Sequence, residues 1–374
     1  LSIDVSSKSR TALNLGILLV LVVFALPQQE CRSEQGSPPN IAEGWVATDA
    51  LGRRIAGHAE AGDPKSGKTV AMFYWNWHTA PFIDVEPVNV ESILSRCPEA
   101  SNQYNHPLWT QGGRHHWSEP LFGYYVSTDG WVLRKHAEML ADAGVDVVFF
   151  DCTNQTFMWD DALHEIGCVW SQARADGVRA PAIAFMCPFA PAENSRVLIT
   201  KIYESIYQPG LYDELWFYWE GKPLIMGYPD NLSEEVRAFF TFRPGQPTYD
   251  RGPSRPDQWG WLEFFPQHGY VEYSPGKFEQ LTVGVAQNAT ASTTPAAMND
   301  QQQVFGRSYT QRDGMDNRPA AVNRGLNFQE QWDRVNEVDP KLVFVTGWNE
   351  WTAGRYRQWQ GTANAFPDQC NQEY

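Results

Sequence analysis

Short, nearly continuous apolar runs recur along this chain, and segments with helical periodicity separate several of them. Runs of this kind are typical of parallel strands, because helices bury both faces of a parallel sheet. Strands that alternate with helices predict βαβ units, and eight such strands predict an α/β fold of the (β/α)8 TIM barrel type. The candidate strands are Val70–Trp75, Val145–Asp151, Ala182–Cys187, Leu224–Tyr228, Ala238–Phe242, Trp259–Phe264, Leu281–Gln287 and Leu342–Trp348.

Three connecting segments carry clear helical signals. Ser127 or Thr128 is placed to cap the first helix, which Gly144 closes, and Asp160 caps a second that ends before Gly177. Apolar residues at spacings of three and four predict the face that each helix buries. These faces are Leu133, Ala137 and Leu140 in the first helix, Leu163, Ile166 and Trp170 in the second, and Phe328, Trp332 and Val335 in a third.

Two connections are much longer than ordinary βα loops. They run from Asn76 to Val126 and from about Asn288 to Asn323, after the first and seventh predicted strands. Loops that follow barrel strands emerge at the C-terminal face, where barrel enzymes build their active sites. We therefore expect both loops to border the site.

The N-terminal region has the pattern of an export signal. Lys8 and Arg10 precede the apolar run Leu13–Leu26, which Pro27 ends. We predict a signal peptide or N-terminal anchor over 1–30, a linker or irregular segment over 31–68, and a catalytic barrel over 69–374 that is truncated at its C-terminus. The expected location is secreted, periplasmic or at the cell surface, with membrane contact only through the N-terminal anchor.

Composition excludes several classes of function. The net charge is −15, from 44 acidic and 29 basic residues, and phosphate backbones require basic patches, so we expect no nucleic acid partner. The six cysteines form no C-x-x-C pair, and Cys152 and Cys187 are expected to be buried thiols. Glycine-rich phosphate loops, nucleophile elbows and dinucleotide motifs are absent, so we expect no cofactor and no metal.

Three carboxylates at predicted strand ends are the catalytic candidates. Glu350 lies within Trp348-Asn-Glu-Trp351, and an acid beside apolar rings is poorly solvated, so it holds a proton near neutral pH. Asp151 ends the second strand and is its predicted partner. Glu263 shares strand parity with Trp261 and is a third candidate, the alternative being a core-edge Glu paired with an Arg.

Aromatic and amide side chains near these acids are candidate sugar ligands, since indole faces stack on sugar rings and amides orient hydroxyl groups. The alternative is that some of them only wedge the long loops onto the barrel. A metal site on His78, His115 and His116 is a rival that matches no helical ligand spacing. The predicted substrate-binding residues are Trp77, His78, His116, Glu119, Asn154, Gln155, Trp261, Gln287, Trp348, Asn349, Trp351 and Arg355.

With Ala137–Gly144, Asp151 and Trp348–Trp351, the chain resembles the glycoside hydrolase family 71/99-like and WbsX-like barrels. That resemblance implies an exported or glycan-associated (β/α)8 protein, and characterised members cleave α-linked mannose or glucose chains. The family 99 pattern Glu-Trp-His-Glu carries two catalytic glutamates. Here Glu350 and Trp351 match, but Thr352 and Ala353 replace the His and the second Glu, so either Asp151 or Glu263 completes the pair or the protein hydrolyses nothing.

These observations together predict an exported glycoside hydrolase that cleaves a polysaccharide or glycan by carboxylate acid/base catalysis. Two alternatives stay open. One is a non-catalytic glycan-binding barrel. The other is a metal-dependent hydrolase that uses His78, His115 and His116.

Overall fold

The computed structural model describes 51–78, 88–110, 115–116, 120–285, 287, 289, 296–297, 299–300, 306–351 and 355–366. The principal strands are β1 (Thr69–Tyr74), β2 (Val147–Asp151), β3 (Ala182–Met186), β4 (Lys222–Met226), β5 (Thr241–Phe242), β6 (Tyr270–Ser274), β7 (Lys277–Gly284) and β8 (Leu342–Thr346). The principal helices are α1 (Gly130–Asp142), α2 (Asp160–Ala175), α3 (Glu193–Ile202), α4 (Glu234–Phe239) and α5 (Leu326–Val338).

Shorter elements occupy the connections. Helical segments cover His58–Ala61, Val90–Arg96, Pro98–Asn102, Pro107–Thr110, Tyr203–Tyr207, Asp213–Leu215 and Ala321–Arg324. Short strands cover Val88–Asn89, His115–His116, Tyr218–Trp219, Tyr309–Thr310, Gly314–Met315, Tyr356–Trp359 and Thr362–Ala365. Within the described part of the chain, no helix is both long and apolar enough to cross a membrane.

The principal strands form one curled sheet in a mixed α/β fold. Its order is β6-β7-β8-β1-β2-β3-β4-β5, and every neighbouring pair is parallel except β6 with β7. The first strand therefore lies between the second and the last, as the barrel prediction requires. Parallel ladders bring the C-terminal ends of β8, β1 and β2 to the same edge of the sheet.

Both faces of the sheet are buried, which explains the continuous apolar runs. Alternate side chains point to opposite faces. Phe73 and Phe149 belong to an inner cluster together with Phe344. Tyr74 and Phe150 belong to an outer cluster under the helices. The predicted faces of the first two helices lie in that outer cluster, and Val335 is buried in α5 with Phe328 and Trp332 packed beside it.

The helix boundaries correct two predicted caps. Asp129, not Ser127 or Thr128, caps α1, because its carboxylate accepts hydrogen bonds from the backbone N–H groups of Trp131 and Val132. Asp160 is the first helical residue of α2, and the preceding Trp159 is in the left-handed region at φ 58°. Gly144 and Gly177 follow their helices at positive φ, as predicted.

The fifth and sixth predicted strands differ most from the structure. Ala238 belongs to α4, because Ser233 caps that helix and two acidic residues occupy its first turn, and only Thr241–Phe242 is extended. The sixth strand is reduced to one bridge between Gly245 and Trp259. The regular eight-strand ladder predicted from the apolar runs is therefore wrong between these positions.

A glutamine side chain connects the sheet across this gap. The edge of β7 is taken by antiparallel β6, so no strand pairs with β7 in parallel on that side within the described residues. Gln280 in β7 instead accepts a hydrogen bond from Gly260 N–H and donates one to Gly260 C=O, both at 2.9 Å. A primary amide presents the same donor and acceptor as a peptide group, so Gln280 takes the place of one rung of a ladder.

The two predicted long loops lie only partly within the described residues. The segment after β1 contains the helical pieces Val90–Arg96 and Pro107–Thr110 and leads into α1. The segment after β7 contains the hairpin Tyr309–Thr310 with Gly314–Met315 and leads into α5. Their role at the site stays a prediction.

Candidate active site

The candidate site lies at the C-terminal ends of β8, β1 and β2. Glu350 follows β8 and Asp151 ends β2, and these strands lie on either side of β1, which Trp75 and Trp77 follow. Neighbouring strands are about 4.8 Å apart, so strands β8 and β2 are separated by roughly 10 Å. Both acids therefore come from strands next to β1, at the same edge of the sheet.

Asn349 ties the segment after β8 to the end of β1. Its side-chain oxygen accepts from Trp75 N–H and its amide nitrogen donates to Trp75 C=O, both at 2.8 Å. Its own carbonyl accepts a hydrogen bond from Trp351 N–H at 3.0 Å. The amide predicted to orient sugar hydroxyls is therefore occupied by backbone, and Asn349 positions the peptide that carries Glu350.

A glycine redirects the chain just before this point. Gly347 has φ 116°, and a Cβ there would lie 3.0 Å from Val285 Cγ2. Only glycine adopts this conformation easily. Trp348 consequently packs on the outer cluster, 5.7 Å from the ring of His136, instead of at the mouth as a stacking platform. Glu350 itself is partly exposed.

Asp151 is buried at the end of β2, 3% exposed, and its carboxylate accepts three hydrogen bonds. Thr153 donates from its backbone N–H at 3.1 Å and from its hydroxyl at 2.7 Å, and the indole N–H of Trp77 donates at 2.9 Å. Burial raises the pKa of Asp151, and these hydrogen bonds oppose the rise. Because all three partners are donors, they favour the ionised form and reduce the rise that burial causes.

His78 lies behind the acids as a buried, neutral ring. It stacks on Trp351 with centroids 4.6 Å apart, and its Nε2 lies 2.9 Å from the Asn349 carbonyl oxygen, which can only accept. Burial lowers the pKa of His78 to about 4, so the ring donates as neutral imidazole at pH 7. His78 and Trp351 are both buried, which makes them supports of the Glu350 segment more than exposed sugar contacts.

Glu263 occupies a structural position. It is fully buried and accepts hydrogen bonds from His268 N–H and His268 Nδ1, both at 2.9 Å. The core-edge alternative thus describes it, with a histidine in place of the expected arginine. Gln287 is buried too, and its amide bonds to the backbone of Glu263 and Phe265 at 2.9 and 3.3 Å.

Trp261 and Arg355, two further predicted ligands, lie in different surroundings. Trp261 is partly buried in the inner cluster and lies parallel to Phe189, with centroids 5.9 Å apart. Arg355 donates to the Tyr104 and Gln103 carbonyl oxygens at 2.7 and 3.2 Å. Its guanidinium stacks on aromatic rings there, and burial lowers its pKa. These guanidinium donors, predicted to bind substrate, therefore bond to backbone carbonyl oxygens.

The other predicted residues lie in loops or in the core. Asn154 and Gln155 are exposed directly after Asp151 and are available to a ligand. Glu119 and the side chains of His115 and His116 lie outside the described residues. Over the described ranges, no group of three or more His, Cys, Asp or Glu side chains could hold a metal ion. Cys152 and Cys187 are buried free thiols.

Sequence reasoning missed several residues of this site. Tyr125 packs on His78 and Trp351, with ring centroids 5.8 and 5.9 Å away. Phe157 and Trp159 lie in the segment between β2 and α2, shortly after Asp151. Two aromatic residues so close to a strand-end acid are a sequence pattern that could have indicated them as site residues. Ser127 binds the backbone of His78, a contact 49 residues apart that no local pattern indicates.

Comparison with known proteins gives structural similarity only. The chain matches no protein-family model and no curated protein. Among solved structures it is similar to the GH99 endo-α-mannosidase from Bacteroides thetaiotaomicron, with 15% identity, a TM-score of 0.46, and coverage of 82% of this chain and 93% of that chain. A second structure of that enzyme, in complex with bis-tris propane, gives 14% identity, a TM-score of 0.44, and coverage of 79% and 91%.

Proposed function

We propose that this protein is a glycoside hydrolase that cleaves a polysaccharide or glycan at the C-terminal edge of its parallel sheet. The observation that carries the proposal is the pair of Asp151, at the end of β2, and Glu350, in the segment after β8, with the indole N–H of Trp77 donating to Asp151. Two carboxylates beside aromatic faces are the minimum set for glycosidic bond cleavage.

The environments of the two acids support different roles. Asp151 receives three hydrogen bonds, which suit an ionised carboxylate that acts as the base or nucleophile. Glu350 is partly exposed beside Trp351 and would donate a proton to the leaving oxygen. Asn349 and His78 fix the peptide before Glu350, which limits the positions that its carboxylate can reach.

A protein of this kind would meet its substrate outside the cytoplasm. The basic residues Lys8 and Arg10 followed by the apolar run Leu13–Leu26 support export. Cell fractionation of the full-length protein tests this part independently of catalysis. Recovery in the cytoplasm alone would refute export and leave the hydrolase proposal standing.

The test of catalysis is reducing-sugar release from α-mannans, α-glucans and β-glucans. We expect turnover by the wild type and a loss of kcat of at least about 10²-fold in Glu350→Gln and in Asp151→Asn. Glu234→Gln, an exposed carboxylate in the first turn of α4, is the matched control and should keep full activity. Equal turnover in the wild type and Glu350→Gln would refute the assignment.

A second candidate is a glycan-binding barrel without catalysis. Ala353 stands where the resembled family has its second glutamate, and that replacement favours this alternative. It predicts glycan affinity that Glu350→Gln leaves unchanged, with no turnover on any polymer. Measurable glycan affinity without detectable hydrolysis would therefore favour the glycan-binding barrel over the hydrolase.

A further inference from the structure

The loop that joins β2 to α2 carries side chains suited to a ligand. In this β2–α2 loop, residues 153–159, Asn154 and Gln155 are exposed and Phe157 is 48% exposed. A ligand that covers a half-exposed aromatic side chain removes apolar surface from water, which favours binding. The loop starts at Asp151, so any such ligand lies next to the candidate active site.

The loop is held in place from both ends. Thr153 bonds twice to Asp151, and Met158 is fully buried in the outer cluster. Gln155 and Trp159 are both in the left-handed region, at φ 60° and 58°. Such backbone is costly for large side chains and persists only where the surroundings enforce it, so the aromatic residues occupy fixed positions.

The aromatic rings of the loop continue directly into the site. Phe157 lies 5.1 Å from Trp159 at an interplanar angle of 27°, and Trp159 lies 6.4 Å from Trp77 at 33°. Trp77 lies 4.5 Å from Trp75 and donates its indole N–H to Asp151. The four rings form a continuous aromatic run from the exposed Phe157 to the carboxylate of Asp151.

We propose that Phe157 and Trp159, with Asn154 and Gln155, form an outer sugar-binding subsite that makes the protein specific for chains of several sugar residues. The proposal rests on the proposed glycan function and adds the length of the substrate. Sugar C–H faces pack on the negative faces of aromatic rings, and amides pair with the hydroxyls at the ring edge. The carboxylates act on one bond while the outer subsite holds residues farther along the same chain.

The subsite predicts how affinity depends on chain length. In the proposed arrangement a two-residue oligosaccharide would occupy only the positions at Asp151 and Trp77, whereas a six-residue chain would extend over Phe157. Removal of Phe157 should therefore weaken the binding of the long chain and leave the short one unchanged. A loss of fold or of the inner site would weaken both equally, so the ratio of the two affinities separates the explanations.

The experiment measures the affinity of full-length protein for two-residue and six-residue oligosaccharides of α-linked mannose, α-linked glucose and β-linked glucose. Affinities are measured by calorimetry in the Glu350→Gln background, in which the substitution prevents turnover during the titration. Phe157→Ala and Trp159→Leu are the test variants. Tyr273→Ala is the matched control, because Tyr273 is also 48% exposed and lies in β6, at the hairpin leading into the N-terminal end of β7.

We expect Phe157→Ala and Trp159→Leu to weaken six-residue binding about tenfold, which corresponds to ~1.4 kcal/mol, with two-residue binding and the control unchanged. Equal losses for both lengths, or no loss, would overturn the outer subsite. Hydrolysis of a polymer by wild type with no effect of Phe157→Ala would refute the subsite and keep the proposed function. Absence of both binding and hydrolysis on all probes would refute the two together.

Discussion

Replacing Asn349 by aspartate tests the main positional claim about the site. The two side chains have the same shape, but Asp lacks the N–H donor that reaches Trp75 C=O at 2.8 Å. Asn349 is 8% exposed, so the Trp75 carbonyl would be left without its partner and would face a carboxylate oxygen. One lost hydrogen bond and one unpaired buried carbonyl cost about 2–4 kcal/mol together.

The magnitude should be visible in equilibrium unfolding by urea at pH 7, followed by tryptophan fluorescence. A loss of this size is a large part of the ~5–15 kcal/mol that folded proteins possess, yet it leaves the variant folded. Asn317→Asp is the control, because Asn317 is exposed and its amide makes only a 3.4 Å contact with the Met315 carbonyl. We expect the control to change the unfolding free energy by less than ~0.5 kcal/mol.

The pH dependence of the stability difference between Asn349→Asp and wild type is an independent test. A buried carboxyl group that faces a carbonyl oxygen has a folded pKa above its unfolded value of about 3.9. Its protonated form can donate to Trp75 C=O, so the stability of Asn349→Asp is retained at low pH and falls as pH rises through the folded pKa. The gap from wild type should shrink toward pH 4. A variant as stable as wild type at pH 7, or a gap that does not change with pH, would refute the reasoning.

Two further predictions follow from the hydrogen bonds of the buried carboxylates. Trp77→Phe removes one hydrogen-bond donor from the Asp151 carboxylate, which favours the neutral form of Asp151 and raises its pKa further. The acidic limb of the kcat/KM profile should therefore move to higher pH. A limb at the same pH as in wild type would show that Asp151 does not control it. The Glu263 carboxylate raises the pKa of His268, so Glu263→Gln should lower that pKa in an NMR titration. The pKa of His268 is higher in the folded than in the unfolded protein, so the Glu263–His268 pair stabilises the fold fully below about pH 6.5 and less as pH rises through the folded pKa. A difference in unfolding free energy between wild type and Glu263→Gln that does not change with pH would contradict this.

The apolar runs were sufficient to place β1, β2, β3 and β8, since a buried parallel strand needs a local run of apolar residues whatever lies beside it. Strand-end acids followed from the same pattern, because a charge after such a run must leave the core. Asp151 is therefore found at the edge that its sequence position indicated. The strand predicted over Ala238–Phe242 is wrong for a local reason as well, because Ser233 caps a helix that extends into this apolar run.

The partners of polar side chains depended on the tertiary structure. Asn349 meets Trp75 across 274 residues, and Arg355 meets Tyr104 across 251, so no local spacing predicts either contact. Glu263 and Gln287 look like ligand groups in the sequence, yet buried hydrogen bonds to protein atoms already satisfy them.

The sequence alone thus determined the α/β class of the fold and the places of Asp151 at the end of β2 and Glu350 after β8, because burial of apolar runs is a local requirement. The strand predicted to carry Glu263 is reduced to one bridge. Only the tertiary structure decided which of those side chains remain available to a ligand. A buried polar group must find a partner, and that partner comes from wherever the folded chain brings a donor or acceptor within hydrogen-bonding distance. Asp151 at the end of β2 and Phe157 in the loop after it lie six positions apart, yet their connection through Trp159 and Trp77 exists only because β1 and β2 are neighbours in the sheet.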